Sequence, residues 1–480
     1  MTAFRVWAPW ADRIELVLAD RHAAMAREDR GWFAATLEAH AGDDYGFSLD
    51  GDPPRPDPAS RWQPLGVHEP SRLLDPAALR ASAAPPWRPP PLERAVFYEL
   101  HVGTFTPEGT LASAAEQIAE LAELGVTHVE LMPIAAFSGD RGWGYDGVCW
   151  SAVHEPYGGP EGLVTFVQAC HRAGVAVILD VVYNHLGPSG NYLPEFGPYL
   201  TDRYSTPWGE AINLDGPGSD EVRGLIVGSA LAWLEDYGID GLRLDAVHAM
   251  FDYSARHILA ELSQAVDALA VELGRPLALI AESDRNDPTT IRPRHERGLG
   301  VHAQWSDDLH HAIHTAVTGE HDGYYADYAG LEDVAAAYRD GFVYAGRYSV
   351  ARERTVGAPL TDDVGGHRLV SSLQNHDQVG NRARGERLTS LAPPALVRAC
   401  AVLLCAAPHA PLLFMGEEFG AQTPFLYFAG HIEDDLADAV TAGRREEFAD
   451  FSSFTAEIPD PQAESTFLDS RLDWGEAATR

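Results

Sequence analysis

The chain has 480 residues, 45% of them hydrophobic, enough for a large buried core and, by length, for about two to four domains unless one α/β barrel takes most of it. Acidic residues outnumber basic ones 71 to 35, a formal net charge of −36 that repels nucleic-acid phosphates and anionic membranes, so a neutral substrate is expected and neither of those as a partner. Every basic residue counted is an arginine, which excludes Schiff-base lysine chemistry and a P-loop lysine.

The start, MTAFRVWAPWADRIELV, lacks the basic and apolar regions of a secretory leader, and no run of eighteen apolar residues follows, so a cytoplasmic setting is expected. Cys149, Cys170, Cys400 and Cys405 have neither C-x-x-C spacing nor the density of a disulfide scaffold, and read as reduced thiols.

In residues 1–90 the segments FRVWAP, RIELVLAD, GWFAATL and DYGFSLDG alternate apolar and polar residues between Gly, Asp and Pro, the pattern of short antiparallel strands. This predicts an N-terminal β-sandwich. The proline-rich run APPWRPPPLERA, 84–95, cannot carry a regular element and marks the domain boundary.

From 91 to 430 apolar strands alternate with helical periods. VFYEL, VTHVELMPI, VAVILDVVYNH, GLRLDAV, LALIAES, VHAQWSDD, LVSSLQNHDQ and PLLFMGEEFG are the strands, with amphipathic segments such as LASAAEQIAELAELG between them. Eight strands of near-continuous apolar character imply parallel pairing, covered outside by helices, and hence a (β/α)8 TIM barrel with an insertion after the third strand, about 184–220. A long doubly wound sheet shares this rhythm. Polar residues at the strands' carboxyl ends favour the barrel, because there they converge on one face: His101, Asn184 and His185, Arg243 and Asp245, Glu282, His376 and Asp377.

Charges inside the apolar run GIDGLRLDAVHAM cost several kcal/mol each unless paired or put to use. Asp245 and Glu282, ending adjacent strands, are expected to face each other across roughly 5 Å, the spacing of a nucleophile and an acid in a retaining glycosidase. The acid is expected to have its pKa raised by burial and like charge. Arg243 lies on the same side as Asp245 and is expected to keep it ionised and to pair with Asp180; Asp377 adds a third carboxylate for sugar hydroxyls.

DVVYNH at 180–185, GLRLDAVH at 241–248, Glu282 in LIAES and QNHDQ at 374–378 together resemble the four sequence regions of the α-amylase superfamily of glycoside hydrolases. The resemblance implies that Asp245 is the nucleophile, Glu282 the general acid/base and Asp377 the transition-state stabiliser. It further implies substrate contacts from His185, His376, His248, Gln378, Tyr145 in GWGYDGV and its neighbour Asp146, with Arg243 and Asp180 in support. Within the superfamily, PDPASRWQPLGVHEPS, AESDRNDP, AQWSDDLHHAIHTAVTGE and NHDQVGNRARGERL look closest to the malto-oligosyltrehalose trehalohydrolases, over most of residues 1–430. That implies hydrolysis of the α-1,4 bond next to the terminal trehalose of maltooligosyl-trehalose. A glucan branching enzyme and a non-catalytic glucan-binding protein are the alternatives.

YFAGH, 427–431, departs from the family by lacking an acidic residue after its aromatic pair. The family continues with an antiparallel C-terminal β domain, so residues 431–480 read as a loop and an incomplete end of the barrel, with that domain missing. No metal or cofactor is expected: Asn184 stands where related amylases use a calcium ligand, yet no acidic loop supplies the remaining oxygens, and no histidine has zinc-site spacing.

Overall fold

The computed structural model describes residues 1–81, 87–361, 363–447 and 458–477. The first residues of the proline-rich boundary, up to 86, and the end of LDWGEAATR, from 478, lie outside them.

Two antiparallel sheets form the N-terminal part. One contains Thr2–Trp7, Trp32–Leu37 and Ala26–Arg27; the other contains Arg21–Ala24, Ile14–Leu18, Asp44–Leu49 and Ser71–Arg72. The alternation works as read: Ile14, Leu16 and Leu18 are buried between exposed or half-buried neighbours, in one cluster with Phe4, Val6, Phe33 and Phe47.

Eight parallel strands close into a barrel: β1 Phe97–Leu100, β2 His128–Leu131, β3 Ala176–Val181, β4 Gly241–Leu244, β5 Ala278–Ala281, β6 Ala303–Trp305, β7 Leu369–Ser372 and β8 Ala410–Phe414. Each pairs with the next, and β8 pairs back onto β1 through Leu412–Phe97, Leu413–Tyr98 and Phe414–Glu99, so no sheet edge remains. A doubly wound sheet is excluded.

The first crossover shows why the helices form where they do. Thr110 accepts the Ser113 N–H while the Ser113 side chain returns to Thr110, a capping box that starts the helix Leu111–Leu124. Leu111, Ala114, Ile118 and Leu121 form its buried stripe, and Gly125 stops it at φ 109°, a left-handed conformation costly for residues with a Cβ. Among the described residues no helix is long and apolar enough to cross a membrane.

Three stretches differ from the sequence reading. The insertion after β3 holds a hairpin, Leu200–Thr206 with Gly209–Ile212. A helix, Leu331–Asp340, and a hairpin, Arg347–Ser349 with Arg354–Val356, lie between β6 and β7, where the single helix HHAIHTAVTG is expected. After β8, helices Asp434–Glu447 and Glu464–Asp469 stand where a loop is expected. The first of these, DDLADAVTAGRREE, consists mostly of charged and small residues, with Leu436 and Val440 its large apolar side chains, so it lacks the apolar bulk of a core-facing helix.

Candidate active site

The charges in GLRLDAV have partners. Asp180 on β3 and Arg243 on β4 are register partners in parallel strands, so both side chains leave the sheet on the same side. Arg243 Nη1 donates to Asp180 Oδ2 at 2.7 Å and to Asp245 Oδ1 at 2.8 Å, and Nη2 lies 3.2 Å from Glu282 Oε2. One guanidinium, 0% exposed, thus gathers carboxylates from three consecutive strand ends. Its planar fork lies 4.4 Å from the Trp305 ring centre, which walls it from water.

The turn after β4 aims a further donor. Ala246 adopts φ 36° and ψ 52°, a strained left-handed conformation for a residue with a Cβ, and its N–H donates to Glu282 Oε2 at 2.6 Å. Asp245 and Glu282 are therefore fixed against each other by a shared cation and by the backbone between them.

From the loop after β2 and the end of β7 comes the second half of the site. Asn375 caps the short helix His376–Gly380 by accepting the Gln378 N–H, which presents His376 and Asp377 to the barrel mouth. Tyr145 joins the halves: its hydroxyl donates to Asp180 Oδ2 at 2.6 Å and lies 2.7 Å from His376 Nε2. Asn381 donates to Asp377 Oδ1 at 3.1 Å.

Above these groups opens a cleft of about 510 Å3. Asp245, Glu282 and Asp377 line it, as do Tyr145, Asp146, His185, His248 and His376. Arg243 and Asp180 lie beneath its floor rather than on it, and Gln378 is not on its wall. His185 bonds the Tyr145 carbonyl through Nε2 and stacks on Trp208 with ring centres 4.3 Å apart. His248 faces Asp284 and Asp146 faces His431, at 3.7 and 3.6 Å.

Trp208, Tyr427 and Arg444 also line the cleft. Trp208 sits in the turn of the hairpin after β3 and Arg444 on the helix after β8, so neither is recognisable from a strand-end rule. Trp143, buried in the same GWGYDG motif as Tyr145, stacks on Phe425 at 5.2 Å and donates to the Leu426 carbonyl.

Electrostatics depart from expectation at one point. For Glu282, burial pushes the carboxyl up, but Arg243 and the Ala246 N–H outweigh it, and the group lies below the usual range. For Asp245, burial outweighs Arg243, and the charges of Glu282 and Asp180 add to it, so this carboxyl is pushed well up. The raised pKa expected at Glu282 thus falls on its partner. The physical reason is crowding and burial: three carboxylates share one cation, and Asp245 is the less exposed of the two facing the cleft, whereas the Glu282 side chain is 20% exposed. Burial holds His185 down at about 4.

A family model described as "Alpha amylase, catalytic domain" matches residues 76–202. The malto-oligosyltrehalose trehalohydrolase of Arthrobacter ramosus is 52% identical, over 98% of this chain and 83% of its own length. That of Mycobacterium tuberculosis is 50% identical, over 100% of this chain and 83% of its own length. The crystal structure of an alpha-amylase candidate from Salmonella typhimurium superposes with a TM-score of 0.92 at 41% identity, covering 99% of this chain and 80% of the other. The chain belongs to the malto-oligosyltrehalose trehalohydrolase family, on the α-amylase barrel.

Proposed function

We propose that this protein is a retaining glycoside hydrolase that cleaves the α-1,4 bond next to the terminal trehalose unit of maltooligosyl-trehalose and releases trehalose. The observation that carries the mechanism is the single buried Arg243 holding Asp245 and Glu282 side by side at the floor of an open cleft. Two carboxyl groups on one sugar acetal are what a double displacement needs.

In this reading an Asp245 oxygen attacks the anomeric carbon while Glu282 gives its proton to the departing trehalose oxygen. The bond to trehalose breaks as the glycosyl ester to Asp245 forms. Glu282, now a carboxylate, takes a proton from water; the hydroxide attacks the same carbon, Asp245 leaves, and the α configuration is retained. Glu282 is the more exposed carboxyl, so a sugar filling the cleft strips water from it and raises its pKa, while Asp245 stays bonded to Arg243. Asp377 and His376 grip the sugar hydroxyls, and Tyr145 offers its ring to the pyranose face.

The same reading takes residues 1–90 as an ancillary sandwich, 91–430 as the catalytic barrel and 431–480 as its flanking end. A cytoplasmic setting suits the four cysteines, which are free thiols. Incubation with maltooligosyl-trehalose is expected to yield trehalose plus a shortened maltodextrin, and Asp245→Asn to abolish both. Branched products from amylose, with no trehalose released, would replace the hydrolase reading by a glucan transferase.

A further inference from the structure

Beneath His376 the barrel buries two carboxyl groups that this mechanism leaves unused. Glu99 on β1 and Glu130 on β2 are register partners, so they project side by side into the interior, each 1% exposed. Two adjacent carboxylates in a low-dielectric site cannot both ionise cheaply. Their partners decide which one is charged. Glu99 accepts twice from His376: the backbone N–H at Oε2, 3.0 Å, and the ring Nδ1 at Oε1, 2.5 Å. Neither Glu130 oxygen has a hydrogen-bond partner among the described residues. Burial first, and the Glu99 charge second, push the Glu130 carboxyl well above its usual range.

The opposite edge of the His376 ring fixes its protonation. Tyr145 spends its hydroxyl proton on Asp180, so its oxygen can only accept from His376 Nε2 at 2.7 Å. With Glu99 as the anion, Nδ1 too faces only an acceptor. Both ring nitrogens are then donors, and the ring is an imidazolium. The charged groups around it are Glu99, Asp377 with Oδ2 at 3.4 Å, and, with opposite effect, Arg243. Tyr145, Trp143 and Trp305 pack against its ring, and Glu130, Asp180, Glu282 and His101 are the further titratable groups that feel its charge.

We propose that Glu99 is a positioning residue that holds His376 as a doubly protonated donor at the cleft floor, while Glu130 retains the proton of the buried carboxyl pair and so leaves Glu99 the anion. Burial alone would lower the His376 pKa; Asp377 and Glu99 outweigh it and hold the ring at about 10. Only the effect on turnover rests on the glycosidase reading above. The protonation state stands apart from it.

The test is nitrogen NMR of the histidine rings in the full 480-residue chain, with His376 assigned by the signals lost in His376→Gln. In the parent, both His376 ring nitrogens should stay protonated through pH 8. In Glu99→Gln the ring should lose a proton below pH 8, and kcat for trehalose release at that pH should fall by about 100-fold with KM little changed. In Glu130→Gln, where the amide stands in for a protonated carboxyl, the His376 signals should match the parent. A neutral His376 ring in the parent at pH 7 overturns the proposal, as does a Glu99→Gln variant whose imidazolium survives at pH 8. Should Glu99→Gln not fold, the parent measurement decides alone. A parent with an intact imidazolium but no trehalose release would sink the proposed reaction and leave this assignment standing.

Discussion

Arg243 Nη1 lies 2.7 Å from Asp180 Oδ2, and the two are register partners on neighbouring barrel strands. The pair is cut off from water, at 0% and 1% side-chain exposure. Removing the carboxylate strips a buried cation of its shortest contact, a loss of about 3–5 kcal/mol for a broken buried pair. Asp180→Ala is therefore expected to lower the urea midpoint strongly. Loss of the exposed Arg5–Glu28 pair by Arg5→Ala should barely move it. Equal shifts in the two variants would show that the barrel does not depend on this ion pair.

Trp208 stacks almost parallel to His185, at an interplanar angle of 4°, and reaches the cleft from a hairpin outside the barrel. Nothing in the chemistry of bond cleavage requires it, whereas an aromatic face adds about 1 kcal/mol of contact with a sugar. Trp208→Ala should raise KM by about fivefold to tenfold and leave kcat within about twofold. A fall in kcat at unchanged KM would place Trp208 in the reacting geometry instead.

Gly144, just before Tyr145, has φ 98°, and a Cβ there would stand 2.0 Å from the Pro133 carbonyl oxygen. Since that backbone oxygen cannot yield like a flexible side chain, Gly144→Ala must shift the loop that carries Tyr145. Expected outcomes are a loss of about tenfold or more in kcat/KM and a lower melting temperature. Parent-like kinetics would mean that the Tyr145 contacts with Asp180 and His376 do not set the rate.

His154 is stacked on Phe137 at 3.7 Å, and burial holds its pKa at about 3, against about 6.5 in an unfolded chain. Between those values the unfolded chain binds a proton that the folded one does not, so this residue costs stability as pH falls through the window. Phenylalanine has no proton to bind. The urea stability of His154→Phe relative to the parent should rise by about 1.4 kcal/mol per pH unit below 6.5. A difference that stays constant from pH 7 to pH 4.5 would refute the assigned state of His154.

The barrel was legible because its strands are buried on both faces. Runs such as VAVILDV carry a continuous apolar signal, and polar residues stand out at their ends. That rule found Asp245, Glu282, His185, His376 and Asp377 on one cleft. Glu99 and Glu130 broke the apolar pattern in the same way as Arg243, inside FYEL and HVEL, and the reasoning applied to GLRLD would have found them too. Trp208 and Arg444 carried no such mark, since an aromatic in a polar hairpin and an arginine on a surface helix are ordinary by local pattern.

By itself the order of residues determined the elements, the eightfold rhythm and the set of carboxylates at the strand ends, because periodicity and capping act over a few neighbours. Closure alone decided how charge is shared. Only when β4 meets both β3 and β5 does one arginine face three acids, and only then is the Asp245 carboxyl pushed up while that of Glu282 is held down. A pKa in a crowded site is set by distances between residues remote in the chain, and those distances exist only in the closed barrel.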